Sequence, residues 1–285
     1  MQAITFDTIQ PLIPYRTPDS HKGNYGHAFL VAGSKGMAGA SILAAQACLR
    51  CGVGLLTLCV PECNRGIMQC AVPEGMALVC GNEHLDRIPE VTERCTALAI
   101  GPGLGRDTET EKILTQMLCP ERALPAAVLD ADALTLLSTH PEVLQTADSE
   151  TLLTPHTGEF ARLLQPFGIQ VNAHKREEQA LFLARQLGVH VILKGPATVV
   201  AAPDGRVAIN TTGNAGMATG GSGDVLTGIL LALRAQHLSA WDAARLGVWI
   251  HGLAGDLAAE ALGQTAMTSA DIVRHLPSAW KTLKA

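Results

Sequence analysis

Short apolar runs alternate along the chain with longer stretches in which apolar positions recur every three to four residues. The short runs predict buried strands, and the longer amphipathic stretches predict helices. Their alternation predicts an α/β fold with a mostly parallel central sheet flanked by helices. The predicted strands are residues 29–32, 55–60, 98–100, 127–129, 152–154 and 189–193.

The same periodicity predicts helices at 40–50, 173–187 and 225–235. Gly188 follows the second of these as a typical helix stop. Pro203-Asp-Gly205 lies between two short apolar runs, 198–201 and 207–210, and predicts an antiparallel hairpin. Because the chain shows no internal repeat and no low-complexity linker, we expect residues 1–285 to form a single domain.

The composition narrows the class of protein. Hydrophobic residues make up 47% and charged residues 16%, which is typical of a globular chain. The net charge of -5 is spread along the sequence without a basic stripe, so nucleic acid is not expected as a partner. No apolar run approaches the ~18 residues of a membrane span. Asp7 and Pro11 stand where a signal peptide needs an apolar core, and we expect a cytoplasmic protein without a membrane partner.

Several predicted strands run directly into glycine, proline or polar residues. In open α/β sheets, ligands bind outside the carboxyl ends of the strands. The chemistry is therefore expected in five segments at these ends, which are residues 31–34, 100–103, 129–132, 154–156 and 194–196.

The most informative segment is 214–224, which leads directly into a predicted helix. Its glycines at 220, 221 and 223 let backbone N–H groups approach an anion, and a helix start attracts negative charge. Asp224 either caps this helix or accepts a proton from a substrate hydroxyl beside a phosphate. The glycine run immediately before Asp224 favours the role of a base.

Two further glycine segments, 33–40 and 101–105, each follow a predicted strand. The first matches neither the P-loop nor the dinucleotide fingerprint. Close approach to a ligand at Gly39 and Ala40 and tight packing between elements are equal alternatives there. The same two alternatives apply to 101–105.

Carboxylates stand at two other strand ends, in Asp130-Ala-Asp132 and in the segment 154–159. Such groups hold Mg²⁺ directly or through water near a polyphosphate. Asp132 suits a helix cap equally well. His156, taken alone, is more typical of a structural histidine than of a catalyst.

Taken together, these segments resemble the ribokinase-like superfamily, whose members carry Gly-x-Gly-Asp at a helix start, here Gly221-Ser-Gly-Asp224. Within it the chain looks most similar to the ADP-dependent NAD(P)H-hydrate dehydratase family. Vitamin kinases of the superfamily usually have Thr-Pro-Asn-x-x-Glu where this chain has Thr154-Pro-His-Thr-Gly-Glu159, and the histidine favours the dehydratase. The resemblance covers nearly the whole chain, through 21–26, 31–34, 39–40, 101–104, 153–160, 194–195 and 211–224.

The resemblance implies a lyase of metabolite repair. ADP would phosphorylate the hydroxyl of hydrated NADH or NADPH, and elimination of phosphate would restore NAD(P)H with release of AMP and phosphate. Mg²⁺ would assist, and a homotetramer is expected. Bacterial members are often fused behind an epimerase domain for which this chain has no room, so a separate NAD(P)H-hydrate epimerase is expected to supply that step.

The resemblance also assigns roles to residues. Asp224 would be the base, and Glu159 would orient hydrated Mg²⁺. The hydrate would contact Ala40, Gly103, His156 and Asp224. The nucleotide would contact Lys194, Gly195, Pro196, Ala197, Thr198 and Gly223, the last of which belongs to the anion hole.

Two other functions remain open. One is a kinase of the same superfamily that acts on a hydroxymethylpyrimidine or hydroxyethylthiazole precursor and leaves the phosphate on its product. The other is a catalytically silent nucleotide-binding protein. Asp224 beside a glycine anion hole argues against the silent protein, because sensing a nucleotide needs no base.

Overall fold

Ten strands in the described part of the chain form one sheet. The computed structural model describes residues 1–79, 87–118, 125–139 and 149–284. The strands are β1 (Gln2–Ile4), β2 (His27–Val31), β3 (Leu55–Val60), β4 (Met76–Val79), β5 (Ala97–Ile100), β6 (Ala126–Leu129), β7 (Leu152–Leu153), β8 (His190–Leu193), β9 (Val199–Ala201) and β10 (Val207–Asn210).

The order across the sheet is β1-β10-β9-β8-β7-β6-β5-β2-β3-β4. Neighbouring strands run parallel, except that β9 is antiparallel to both β8 and β10. The prediction of a mostly parallel sheet is therefore confirmed, and so is the predicted hairpin. The carboxyl ends of the central strands β5, β6, β7 and β8 lie at one edge of the sheet.

Helices cover both faces of the sheet because the strands bury side chains on both sides. Along β2, Leu30 packs into one hydrophobic cluster while Phe29 and Val31 pack into the other. The described helices are α1 (Phe6–Ile9), α2 (Ala38–Arg50), α3 (Glu62–Ala71), α4 (Arg87–Arg94), α5 (Thr108–Met117), α6 (Ala131–Leu137), α7 (Thr157–Leu164), α8 (Arg176–Leu187), α9 (Ser222–Ala235), α10 (Ala240–Leu262) and α11 (Ser269–Lys284). Helices α2, α9, α10 and α11 contribute to the first cluster, and α5, α6, α7 and α8 contribute to the second.

All six strands predicted from the apolar runs are present, with ends that shift by at most two residues. The helix predicted at 173–187 begins with a 3₁₀ turn, Ala173–Lys175, before α8, and ends at Gly188 with φ 68°. Helix α9 begins at Ser222, three residues earlier than predicted. The edge strands β1 and β4 were not predicted.

Helices α2 and α9 pack with their backbones in close approach. A Cβ added at Gly228 would lie 2.0 Å from the carbonyl oxygen of Ala44, so only glycine fits this crossing. The crossing holds the first turn of α9 at the carboxyl edge of the sheet. Among the residues that the structure describes, no helix is long and apolar enough to span a membrane.

Candidate active site

A half-buried lysine, Lys194, brings together the ends of several elements. Nζ of Lys194, just after β8, lies 2.7 Å from Oδ1 of Asp130 and 3.9 Å from Oε2 of Glu159. The hydroxyl of Thr227, one turn along α9, donates to Oδ2 of Asp130 at 2.7 Å. The Asp130 side chain is only 1% exposed. Elements far apart in the sequence therefore build one charged cluster, as expected for strand ends that share an edge.

The predicted base stands beside this cluster. A Cβ added at Gly223 would lie 3.1 Å from Nζ of Lys194 and 3.8 Å from Oδ2 of Asp130. The N-cap of α9 is Gly221, with φ 91°, so Asp224 occupies the first turn of the helix. The alternative in which Asp224 caps this helix is therefore wrong, because the cap lies three residues earlier.

The glycine run presents unused amides. In the described part of the chain, the N–H groups of Gly221 and Gly223 donate no backbone hydrogen bond. A Cβ added at Gly220 would meet nothing within 4 Å, so the loop borders open space. Free amides at a helix start, next to the Lys194 ammonium, are an arrangement suited to bind an anion.

Burial and neighbouring charges shift the pKa values of Asp224, Glu159 and Lys194. Burial, with the nearby Asp130 carboxylate, raises the pKa of Asp224 to about 6, although Lys194 opposes the shift. Burial also raises the pKa of Glu159 despite the attraction of Lys194. Burial alone would lower the pKa of Lys194, but Asp130 and Glu159 outweigh it, so the pKa is raised and the ammonium stays charged. Asp224 is thereby suited to exchange a proton near neutral pH.

His156 caps a helix. Its Nδ1 accepts hydrogen bonds from the amides of Gly158 (2.9 Å) and Glu159 (3.4 Å), and the Glu159 carboxylate accepts from the His156 amide at 2.8 Å. Because Nδ1 accepts, the neutral ring carries its proton on Nε2, which lies 3.3 Å from Oε1 of Glu159. The side chain is 56% exposed, so its outer face is open to a ligand. The glutamate three residues later was the sequence signal for this capping box.

Ala40 and Gly103 lie against each other. A Cβ added at Gly103 would lie 2.8 Å from Cβ of Ala40. An added Cβ at Gly39 would meet nothing within 4 Å, so tight packing is found at Gly103 but not at Gly39, and close approach of a ligand at Gly39 stays a prediction. Gly103 thus serves tight packing, and Gly39 borders free space.

The predicted nucleotide segment follows β8 as an irregular loop. Gly195 has φ 139° and Ala197 has φ 49°, a left-handed conformation that is uncommon for alanine and marks local strain. The hydroxyl of Thr198 donates to the Gly195 carbonyl at 3.0 Å, and Nη1 of Arg176 donates to the Pro196 carbonyl at 2.5 Å. Sequence reasoning missed Arg176, because nothing in its position on α8 indicates this contact.

Asp132 binds a neighbouring loop and does not cap a helix. Helix α6 begins at Ala131 with Asp130 as its N-cap residue, and Oδ2 of Asp132 accepts from the Gly105 amide at 3.0 Å. Within the described ranges, no group of three or more His, Cys, Asp or Glu side chains could hold a metal ion by itself.

A model of the NAD(P)H-hydrate dehydratase family matches residues 28–278. The chain belongs to this family. It is similar to the bifunctional NAD(P)H-hydrate repair enzyme Nnr of Moorella thermoacetica, with 43% identity over 95% of this chain and 52% of the relative. It is also similar to the ADP-dependent (S)-NAD(P)H-hydrate dehydratase of Bacillus subtilis, with 35% identity over 97% of both chains.

Solved structures agree with the family assignment. The fold matches the crystal structure of the ADP/ATP-dependent NAD(P)H-hydrate dehydratase from Bacillus subtilis, co-crystallised with ATP/Mg²⁺, with a TM-score of 0.85 and 32% identity over 99% of this chain and 98% of that one. Ribokinase from Thermotoga maritima matches with a TM-score of 0.58 and 13% identity over 89% of this chain and 99% of that one, which shows that the fold is ribokinase-like. The chain spans about half the length of the bifunctional dehydratase relatives it matches.

Proposed function

We propose that the protein is a hydro-lyase that uses ADP to dehydrate hydrated NADH and NADPH, restoring NAD(P)H with release of AMP and phosphate. The observation that carries the proposal is the position of Asp224, a carboxylate with a raised pKa, beside the free amides of Gly221 and Gly223 and the ammonium of Lys194. A base next to an anion site is what phosphoryl transfer to a hydroxyl requires.

In the first step, the Asp224 carboxylate takes the proton of the substrate hydroxyl. The hydroxyl oxygen then bonds to the terminal phosphorus of ADP, and the bond between that phosphorus and the bridging oxygen breaks, so that AMP leaves. The amides of Gly221 and Gly223 and the Lys194 ammonium hold the transferred phosphoryl group while its charge is redistributed. Positioning and charge stabilisation of this kind supply most of the catalysis in phosphoryl transfer.

In the second step, phosphate leaves with the electron pair of the carbon–oxygen bond of the new ester, the adjacent ring carbon loses a proton to the departing phosphate, and the ring double bond forms. Phosphate is a good leaving group, whereas hydroxide is a poor one. Phosphorylation therefore makes possible an elimination that the hydrate does not undergo readily by itself.

The charge of the cluster supports a requirement for Mg²⁺. Asp130, Glu159 and Asp224 surround one lysine, and ADP adds further negative charge. We assign to Glu159 the orientation of hydrated Mg²⁺, because its carboxylate is the one that lies next to both His156 and Lys194. When bound, Mg²⁺ neutralises charge on the phosphate oxygens.

The remaining roles are those that the family resemblance implies. We propose that the hydrate contacts Ala40, Gly103, His156 and Asp224, and that the nucleotide contacts Lys194, Gly195, Pro196, Ala197, Thr198 and Gly223. The exposed face of His156 supports its contact with the hydrate, and the irregular loop after β8 supports the nucleotide contacts. We further propose that residues 1–285 form one domain, and that the protein is cytoplasmic, forms a homotetramer and works together with an NAD(P)H-hydrate epimerase.

The test is direct. Purified protein is incubated with hydrated NADH, Mg²⁺ and ADP, while NADH absorbance and AMP release are followed. We expect one AMP for each NADH restored, and a parallel run with ATP measures the nucleotide preference. A stable phosphorylated hydroxymethylpyrimidine or hydroxyethylthiazole, with no turnover of the hydrate, would replace this proposal by the vitamin-precursor kinase.

A further inference from the structure

The first residue of α11 contacts the glycine run from behind. The Ser269 hydroxyl donates to the Gly220 carbonyl at 2.7 Å, and Ser269 is only 3% exposed. The start of α11 does not need this hydroxyl, because Asp271 already accepts from the Thr268 amide at 2.9 Å and from the Thr268 hydroxyl at 2.7 Å. Ser269 is therefore free to hold a carbonyl of another element.

The bond from Ser269 fixes the direction of one peptide group. The described peptide bonds are all trans, so the Gly220 carbonyl and the Gly221 N–H point in opposite directions within their shared peptide plane. Because the carbonyl points to α11, the N–H of Gly221 points away from α11. This N–H is one of the unused amides of the anion site.

The two residues of this peptide differ in packing: Gly221 is tightly packed, since a Cβ added there would lie 2.4 Å from Cδ1 of Leu43 and 3.3 Å from Cβ of Ser269, whereas Gly220 borders open space. An added Cβ at Gly220 would find nothing within 4 Å, and glycine on both sides of a peptide gives it wide rotational freedom. The Gly220 carbonyl also accepts no bond from the Asp224 amide, although that amide stands four residues later. Without Ser269, rotation of the peptide would turn a carbonyl oxygen, in place of an N–H, toward the bound anion.

We propose that Ser269 is a positioning residue that keeps the Gly221 N–H directed at the phosphoryl group. It acts through the Gly220–Gly221 peptide and does not itself touch the substrate. The inference rests on the proposed function for the identity of the anion, but the orientation of the amide can be tested by phosphate binding alone.

The test compares Ser269→Cys, which keeps the size but replaces a strong donor with a weak one, with Ser269→Ala. Ser278→Ala, an exposed hydroxyl on the same helix, is the matched control. Calorimetric titration with inorganic phosphate measures the anion site without any turnover. We expect about 10-fold weaker phosphate binding in both Ser269 variants, equivalent to one lost hydrogen bond, and wild-type binding in the control.

Kinetics with hydrated NADH and ADP add a second readout. We expect kcat to fall by a similar factor while KM for the hydrate is unchanged, because the amide acts on the phosphoryl group alone. Phosphate binding equal to wild type in Ser269→Cys would overturn the inference. Loss of the fold in both variants would also overturn it, by assigning the hydroxyl to stability. Absence of hydrate turnover in the wild type would contradict the proposed function. The phosphate titration would still test the role of Ser269, because it does not depend on turnover.

Discussion

The two ends of β8 carry charged clusters of opposite character. At the carboxyl end, Lys194 is shared by Asp130 and Glu159, and Asp224 stands beside it. At the amino end, around His190, three of the described carboxylates each form an ion pair with an arginine, and Trp241 lies 4.6 and 5.4 Å from the guanidinium groups of Arg206 and Arg245. The pairs there are Arg206 with Asp204 at 2.8 Å, Arg234 with Glu150 at 3.0 Å and Arg245 with Asp242 at 2.6 Å.

The pKa shifts express the same difference. The hydrogen bond from Arg206 lowers the pKa of Asp204, which stabilises the ionised form. Burial raises the pKa of Asp224 to about 6, which means that its ionised form is held at a cost. Balanced pairs stabilise a fold, whereas an excess of buried carboxylate is tolerated where it performs chemistry. The comparison thus supports the proposed active site at the carboxyl end of β8.

The largest effect is expected for Asp224→Asn. The amide has nearly the same size but cannot accept the hydroxyl proton, so kcat should fall by ~10²- to 10⁴-fold. ADP binding, measured by calorimetry, should change little. Near wild-type turnover in the well-folded variant would show that the Asp224 carboxylate is not the catalytic base.

The same variant should be more stable than wild type at neutral pH. Because the pKa of Asp224 is raised in the folded state, its ionised carboxylate lowers the free energy of unfolding of the wild type, and this destabilisation is complete above about pH 6. This cost disappears as pH falls below the unfolded value of Asp, about 3.9. The melting temperature of Asp224→Asn should therefore exceed that of wild type at pH 7, and the difference should vanish near pH 4. A lower melting temperature at pH 7 would contradict the assigned burial cost.

Lys194→Met should be strongly destabilising, because it removes the cation that the carboxyl-end cluster shares. Leaving a buried charge without its partner typically costs ~3–5 kcal/mol. Urea unfolding should show a loss of this order, and combination with Asp130→Asn should recover part of it, since the unpaired carboxylate is then gone. Additive losses in the double variant would mean that the two side chains do not interact.

His156→Asn should separate capping from substrate contact. Asparagine is also a good N-cap, so α7 should be retained and the melting temperature nearly unchanged. Loss of the exposed imidazole should raise KM for the hydrate by about 10-fold, the value of one hydrogen bond, while KM for ADP stays the same. Equal constants for the hydrate in both proteins would leave His156 with the capping role alone.

The smallest effect is expected at the amino end. Arg206→Ala removes an exposed pair and a contact with Trp241, which together contribute about 1 kcal/mol or less. Unfolding should shift by no more than this, and kcat should stay at the wild-type value. A large loss of activity would contradict the assignment of a purely structural role to the charged pairs at the amino end of β8.

Apolar runs predicted the central strands because both faces of these strands are buried. The glycine run predicted an anion site because residues without a side chain let backbone N–H groups approach a ligand. The edge strands were not predicted because β1 has only three residues and β4 is half exposed. The partners of Asp130 could not be predicted, since Lys194 and Thr227 lie 64 and 97 residues away and only the strand order brings them together. The contact of Ser269 with Gly220 has the same origin, a separation of 49 residues.

The central claim is that Asp224 is a half-buried base with a raised pKa, and the pH dependence of kcat/KM for hydrated NADH tests it most directly. With Mg²⁺ in excess, so that the terminal phosphate of ADP stays ionised, the claim predicts a plateau at neutral pH and a tenfold fall for each pH unit below about 6. The residual rate of Asp224→Asn should lack this acidic limb. A wild-type rate that stays constant from pH 7 down to pH 5, or the same acidic limb in Asp224→Asn, would contradict the claim.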